Sequence, residues 1–179
     1  MDNNYIFQYW EAIQDGTVTV GKWIKTIYEI LVNGLKSGKW DFDEEKDNKA
    51  INFIENFCHH SEGRNDLLKL ELWQKAIVSA IFGIMDKRTG YRQFREVFIV
   101  VARKNGKTLF AAAIAAYMAY IDGEYGAKVY FLAPKLDQAD LVYDAFYQIV
   151  QSDDELDSIT KKRRSDIYIK AFNTSVKKI

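Results

Sequence analysis

The sequence predicts an α/β fold in which a parallel sheet follows an N-terminal helical region. Over roughly the first 90 residues, apolar side chains recur every three or four positions, the spacing of one face of a helix. Over about the next 50 residues, two short apolar runs typical of buried strands flank a long alanine-rich segment typical of a helix. Two strands joined by one helix favour a right-handed crossover and parallel pairing.

Four helices are expected in the N-terminal region. Each is indicated by apolar residues at positions i, i+3 and i+4, and Asp15-Gly16 interrupts the pattern between the first two. The predicted helices cover residues 4–12, 19 or 20 to 34 or 38, 46–58 and 72–84.

The remainder is expected to alternate between strands and helices. Residues 96–101 (EVFIVV) and 127–133 (AKVYFLA) are β-branched and aromatic runs typical of buried strands. Residues 109–121 and 136–150 predict helices, the first from its alanine content and the second from its apolar stripe. A turn is expected at residues 122–126 and a further strand at residues 166–172.

Composition and charge favour a soluble intracellular protein. Of the 179 residues, 48% are hydrophobic and 28% are charged, which is ordinary for a globular chain. The 25 basic and 25 acidic residues cancel, so any nucleic-acid contact must come from a local patch. The single Cys58 cannot form an internal disulfide. The start, MDNNY, lacks the pattern of a signal peptide, and the longest apolar stretch is shorter than the roughly 20 residues that span a bilayer.

Residues 101–108, VARKNGKT, are the strongest candidate for chemistry. They approach the Walker A phosphate-binding loop, G-x-x-x-x-G-K-[ST], with Gly106, Lys107 and Thr108 in place and Val101 where the first glycine is usual. A predicted strand precedes the segment and a predicted helix follows it. The glycine and lysine therefore lie at a helix N-terminus, where unpaired N–H groups favour an anion. The alternative is a solvated basic turn between two core elements.

Three weaker signals leave alternatives open. Gln74, at the start of a predicted helix, is either a contact to adenine or ordinary helix surface. The basic run at residues 161–164 (KKRR) is either a DNA-contacting patch or a solvated loop. Cys58-His59-His60 has metal-ligand residue types, but no second cluster supplies further ligands, so a helix-end turn is favoured over a zinc site.

Several of these segments together resemble the large terminase subunit of tailed double-stranded DNA phages. The most specific is RKNGKT, a form of the phosphate loop that has an arginine four residues before the lysine and lacks the first glycine. Such terminases share the departure seen at Val101. The resemblance covers nearly the whole chain. Its other segments are LELWQ (70–74), FG (82–83), GYRQFR (90–95) and DGE (122–124), with residues 9–21, FIE (53–55) and the turn at residues 59–63 upstream.

This resemblance implies a motor ATPase that drives phage DNA into a preformed capsid, with a separate nuclease domain that cuts the concatemer. It implies ATP and Mg²⁺ as ligands. The implied partners are double-stranded DNA, the small terminase subunit, the portal protein and further copies of the chain in a ring. The implied location is the cytoplasm of a bacterial host, with no membrane association.

The resemblance also implies a role for each loop residue. Lys107 would hold the β and γ phosphates, and Thr108 would ligate Mg²⁺. Backbone N–H groups around Asn105 and Gly106 would cradle the phosphates. Arg103 would sense or stabilise the γ phosphate, since its planar fork matches phosphate oxygens. Arg103 and Lys107 are thus the expected catalytic residues.

Two further segments match the family outside the loop. Gln74 is similar to an adenine-reading glutamine of such motors. Residues 133–134 (AP) and 138–139 (QA) are similar to the segment that follows the second strand of terminases and helicases, which is linked to coupling with DNA. No catalytic role is expected for that segment.

The acidic pair that ATP hydrolysis requires is missing from the expected context. Such a pair stands at the end of a core strand, where one carboxylate binds Mg²⁺ and the other polarises water. The nearest acidic run, residues 153–155 (DDE), follows a predicted helix instead. We therefore expect an N-terminal fragment with a helical region at 1–69 and the beginning of a P-loop ATPase domain at 70–179, which stops before the Walker B strand.

The expected fragment binds nucleotide without complete catalytic machinery, and the full-length protein is an ATPase and nuclease. Two other functions stay open. One is a helicase-like ATPase acting on nucleic acid, which would share the glutamine and the phosphate loop. The other is a non-enzymatic fragment whose helical region docks on the small terminase subunit or the portal.

Overall fold

The computed structural model describes residues 4–60 and 63–179, so residues 1–3, which entered the signal-peptide argument, lie outside the described part. The described residues form two compact units. The first contains residues 4–51 and Leu70–Ile99, and the second contains residues 52–60, 63–69 and 100–179. The boundaries of these units differ from the predicted domain boundary between residues 69 and 70. The predicted domains, 1–69 and 70–179, remain a prediction.

The first unit is mainly helical. Its helices and short strands are α1 (Tyr5–Gln14), α2 (Lys22–Lys36), β1 (Asp41–Phe42), the first part of α3 (Glu44–Phe57), α4 (Leu72–Phe82) and β2 (Ile84–Met85). The four predicted helices are confirmed, with ends that differ by a few residues. None of the described helices is long and apolar enough to cross a membrane.

The core of the first unit forms where α1 packs against α2 and α4. Asn4 fixes the start of α1, because its Oδ1 accepts a hydrogen bond from the Ile6 N–H at 2.9 Å. The Ile6 side chain is fully buried, and the Tyr9 ring meets the Tyr28 ring edge-on at 4.7 Å between centroids. The apolar stripes that predicted these helices therefore face one another.

The second unit is an α/β layer. Its elements are the end of α3, α5 (Lys107–Tyr120), β3 (Lys128–Phe131), α6 (Leu136–Gln151), α7 (Asp154–Ile159), β4 (Thr160–Lys162), β5 (Ile167–Ile169) and β6 (Thr174–Lys178). The sheet order is β3-β6-β5-β4. Strands β3 and β6 are parallel, and the other two pairs are antiparallel. Helices α5 and α6 pack on each other and on β3 and β6.

The predicted strand at residues 96–101 is wrong. The structure assigns no strand there, and Phe98 and Val100 are 93% and 78% exposed. A strand needs a hydrogen-bonded neighbour as well as an apolar sequence, and in the described part of the chain the parallel partner of β3 is β6. The α/β class is confirmed, but the sheet is mixed. Helix α6 lies in sequence between the parallel strands β3 and β6. The prediction placed the helix of residues 109–121 between the two parallel strands.

Helix α7 and strands β4 and β6 were not predicted from the sequence. Helix α7 is short, and Asp153 caps it by accepting a hydrogen bond from the Leu156 N–H at 3.0 Å. Strand β6 reads TSVKK, in which Thr174 and Val176 are β-branched but three of five residues are polar Ser or Lys, and it forms because it pairs on both sides. Tertiary pairing therefore decides these elements more than local propensity does.

Asp47, in the first turn of α3, is a buried carboxylate without an ion pair. It is 0% exposed, and no group among the described residues donates a hydrogen bond to either carboxylate oxygen. Burial raises the pKa of Asp47 from 3.8 to about 6, and the nearby Ser79 hydroxyl offsets this in part. The Asp47 carboxyl thus binds a proton more tightly in the folded chain than in the unfolded chain. The stability that results is present below pH 3.8 and is lost as pH rises through about 6.

Asp47→Asn should therefore stabilise the chain at pH 8 by about 1–3 kcal/mol, because the amide has the size of the carboxylate and no charge to bury. Near pH 4 the variant and the unaltered chain should have similar stability. Urea unfolding at pH 4, 6 and 8 measures the difference. Glu45→Gln, an exposed position on the same helix turn, is the control and should show no such pH dependence. A pH-independent effect of Asp47→Asn would contradict the burial argument.

Candidate nucleotide site

The candidate site is built around the N-terminus of α5. The helix begins at Lys107, and Gly106 is its N-cap residue with φ of 65°, in the left-handed region. Lys104, two residues earlier, has φ of 66°. These two left-handed residues turn the chain sharply before the helix, which glycine accepts at no steric cost and lysine does not. The predicted loop and helix of this motif are confirmed, and the predicted strand before them is not.

The first turn of α5 leaves backbone donors for an anion. The first helical hydrogen bond runs from the Phe110 N–H to the Gly106 carbonyl at 2.9 Å. The N–H groups of residues 107–109 precede that bond, and Gly106 has no side chain to cap them. The positive end of the helix dipole lies at the same place. This is the arrangement of N–H groups and dipole that binds phosphate at helix N-termini.

Burial of the rest of α5 makes this N-terminus rigid. Phe110 is 3% exposed, and five alanines along the helix are almost completely buried: Ala112, Ala113, Ala115, Ala116 and Ala119. At the far end, the Tyr120 hydroxyl lies 2.6 Å from the Thr160 hydroxyl of β4. Since the Thr160 hydroxyl donates to the Leu156 carbonyl at 2.7 Å, Tyr120 is the donor of the first bond. The helix is thus held along its length and exposes its start.

Asn105 shapes the loop with its side chain. Its Nδ2 donates to the carbonyls of Ala102 and Arg103 at 3.2 and 3.3 Å. These bonds close the turn on itself and hold the backbone in place ahead of Gly106. The resemblance implies that backbone N–H groups around Asn105 cradle the phosphates, and the structure adds a loop-closing role for the amide side chain.

The two predicted catalytic cations are exposed, and neither is neutralised. Arg103 and Lys107 both lie on the surface, and Thr108 is half-buried in the first turn of α5. In the described part of the chain, neither Arg103 nor Lys107 forms an ion pair with an acidic side chain. Their charges are therefore available to an external anion. Residues 103–108 thus form one continuous stretch with backbone N–H groups, three cations (Arg103, Lys104 and Lys107) and one hydroxyl.

Gln74 belongs to the first unit, whereas residues 103–108 belong to the second. Its side chain is 7% exposed, so it is not ordinary helix surface. Gln74 Oε1 accepts a hydrogen bond from the Glu71 N–H at 2.9 Å, as part of a capping box at the start of α4. The sequence contains only half of the capping-box signal, because glutamine stands at the third helical position but Glu71 replaces the usual Ser or Thr at the N-cap.

The other weak candidates have structural roles. Cys58 is buried, and burial raises the pKa of its thiol to about 12, so it is an inert core thiol. No group of three potential metal ligands exists among the described residues. In the acidic run at residues 153–155, Asp153 serves as the N-cap of α7.

Comparisons with known proteins bear on the family and the fold of this region. A family model described as terminase large subunit, ATPase domain, matches residues 72–178. The crystal structure of the HK97 bacteriophage large terminase is similar, with a TM-score of 0.63 and 24% sequence identity. The alignment covers 74% of this chain and 26% of that one, so the chain spans about a quarter of its length. This likeness confirms the predicted α/β fold. Comparison with curated proteins finds no match.

Gly106→Ala should destabilise the chain by about 1 kcal/mol, because φ of 65° is unfavourable for a residue with a Cβ. The added methyl meets no atom within 4 Å, so the whole cost is conformational. Gly21→Ala is the matched control, since Gly21 is also an exposed N-cap with open surroundings but has φ of −71°. Its effect should stay within about 0.5 kcal/mol. Equal urea midpoints for the two variants would contradict a left-handed Gly106.

Proposed function

The chain belongs to the family of terminase large-subunit ATPase domains, and from this membership we propose that it binds Mg²⁺-ATP as part of a phage DNA-packaging motor. The observation that supports nucleotide binding best is the uncapped N-terminus of α5 beside two unpaired cations. A polyphosphate is the ligand whose charge and oxygens match this combination.

The donor set fits a nucleoside triphosphate. The N–H groups of Gly106 and the first turn of α5 would hold the β phosphate, and Lys107 would reach the β and γ oxygens. Thr108 would offer its hydroxyl to Mg²⁺, which prefers oxygen ligands. Arg103 would meet the γ phosphate with its two-pronged guanidinium. Bound Mg²⁺ would neutralise the charge that develops on the phosphates.

Gln74 is proposed as the adenine contact with one restriction. Its Oε1 is engaged by the Glu71 N–H at 2.9 Å, so the amide would use its Nε2 donor toward an acceptor nitrogen of the base. A rigidly capped amide has little rotamer freedom to lose on binding. The capping box would therefore orient the contact to the base.

The larger functions are proposed for a whole protein of which this chain spans part. They are ATP hydrolysis, translocation of double-stranded DNA and cleavage by a nuclease domain. The proposed partners are the small terminase subunit, the portal and other copies in a ring, in the cytoplasm of the bacterial host. The support is family membership through residues 72–178.

Lys107→Ala should weaken Mg²⁺-ATP binding by at least about tenfold, since a charge-assisted hydrogen bond contributes roughly 1.5–3 kcal/mol. Isothermal titration calorimetry measures the loss. Lys104→Ala removes the same charge from the same exposed loop and is the control, with a change of less than about threefold expected. Unchanged affinity in Lys107→Ala, or equal losses in both variants, would remove Lys107 from the site.

Arg103→Ala should weaken ATP selectively, because only the triphosphate presents γ oxygens to the guanidinium. The expected loss is on the order of ten- to a hundredfold for a non-hydrolysable ATP analogue and much smaller for ADP. Arg103→Lys should restore part of the selectivity, since lysine keeps the charge without the fork. Both nucleotides are titrated against the unaltered chain, Arg103→Ala and Arg103→Lys. If Arg103 only shapes the loop, its loss should weaken ATP and ADP alike, which would exclude a γ-phosphate sensor.

A further inference from the structure

Helix α2 has two apolar faces, and only one of them is buried. Tyr28, Leu31 and Val32 belong to the core of the first unit. On the other face, four large apolar side chains are exposed by 39–74%: Trp23, Ile24, Ile27 and Ile30. No other described helix exposes four such side chains. Apolar residues on two sides are typical of a helix that packs between two neighbours.

The exposed side chains have the spacing of a helix–helix contact. Trp23, Ile27 and Ile30 follow one another at four and three residues, the alternation that turns apolar side chains toward a facing helix in a coiled coil. The next position in this series is Gly34, where the Trp40 ring fills the space that a side chain would take. The contact therefore ends at Ile30. We call Trp23, Ile24, Ile27 and Ile30 the α2 seam.

The polar residues that flank the α2 seam carry no charge. Thr26 and Asn33 each stand one position before a seam position, where coiled coils often place the charged residues that select a partner. The charged residues Lys22, Lys25 and Glu29 lie further round the helix, away from the seam. No repulsion between like charges therefore prevents the seam from meeting an identical seam.

The α2 seam is large enough for a weak dimer. A fully exposed aromatic side chain offers up to about 250 Å² and an isoleucine somewhat less, so the exposed fractions add up to about 400–500 Å² on one copy. Two seams with their polar flanks would bury about 1,000–1,300 Å² in total, near the lower limit of specific protein–protein interfaces. A contact of this size is expected to form at micromolar concentrations and above.

The order of charges along α2 favours an antiparallel pair. A two-fold axis close to Thr26 brings Glu29 of one copy near the level of Lys22 of the other. In a parallel pair, each lysine would instead stand level with the same lysine of the second copy. The helix dipoles also attract each other when the two helices run in opposite directions.

We propose that the α2 seam joins two copies of this chain in an antiparallel, two-fold dimer. In this dimer, Trp23 of each copy inserts between Ile27 and Ile30 of the other. A two-fold contact uses the same surface on both chains and closes at two copies, so it is separate from the head-to-tail contacts of a ring. The dimer depends on the surface of α2 and is independent of the nucleotide site.

Ile27→Glu in the 179-residue chain tests the seam, because it places a carboxylate against an apolar surface in both copies. Leu141→Glu is the matched control, since Leu141 is a 63% exposed apolar residue on α6 and receives the same change. Sedimentation equilibrium from about 1 to 500 μM chain covers the dissociation constants expected for a contact of this size.

The unaltered chain and Leu141→Glu should dimerise with the same dissociation constant, on the order of tens of micromolar. Ile27→Glu should weaken dimerisation at least about a hundredfold, because the two-fold axis repeats the change. Ile30→Glu, at the next seam position, should do the same. Trp23 is the most exposed tryptophan, so the emission of the unaltered chain should shift to shorter wavelength as concentration rises, and that of Ile27→Glu should not.

The orientation of the pair is measured with spin labels on Thr26→Cys and on Asn33→Cys. Labels at Thr26 lie near the two-fold axis, whereas labels at Asn33 lie seven residues further along each helix. At 1.5 Å per residue, the distance between the two copies' labels should be longer at Asn33 by about 10 Å or more. The buried Cys58 does not compete for the label. Equal distances would show a parallel pair and contradict the proposed dimer.

A chain that stays monomeric up to about 500 μM would overturn the proposal, since a contact of this area should form well below that concentration. Dimers that persist in both Ile27→Glu and Ile30→Glu would also overturn it, as would an equal loss in Leu141→Glu. Burial of Trp23 only when a small terminase subunit is added would assign the α2 seam to that partner in place of a second copy.

Discussion

The parallel register between β3 and β6 is the constraint on which the second unit depends. Pairing of Lys128 with Ser175 and of Val129 with Val176 places every apolar residue of β6 toward the helices. A shift by one residue would turn Val176 to solvent and put Lys177 against α5 and α6, because side chains alternate along a strand. Burial of Ile167, Ile169 and Val176 therefore fixes the register. The same register determines which lysines share the opposite face.

The candidate nucleotide site of the second unit follows from this layer. Helices α5 and α6 cover the apolar side of β3 and β6, and the small alanines of α5 allow close packing there. Close packing fixes the position of α5, while its first residues stay at the surface. A phosphate site built from backbone N–H groups requires both. The candidate nucleotide site thus belongs to the end of a buried helix.

The sequence predicted the helices well because their signal is local. Apolar residues at helical spacing and caps such as Asn4 act within a few positions of the chain. Strands were predicted less well, because a strand depends on a partner distant in sequence. Residues 96–101 read as a buried strand and are largely exposed, whereas residues 174–178 were not predicted as a strand and pair on both sides. The turn before α5 was predictable because its motif combines a local turn with a helix start.

The side chains of the candidate site were harder to predict, because one residue type serves different purposes according to its neighbours. Arg103 and Arg163 both stand in basic segments. Asp166 follows Arg163 by three residues, and the β4–β5 hairpin brings the two side chains into a double hydrogen bond. The Asp166 carboxylate therefore neutralises the charge of the Arg163 guanidinium. Arg103 has no acid nearby in sequence, since the nearest are Glu96 and Asp122, and it forms no ion pair in the described part of the chain. An arginine without an internal partner keeps its full charge for a ligand, so the distribution of acids around each cation is what separates binding residues from structural ones.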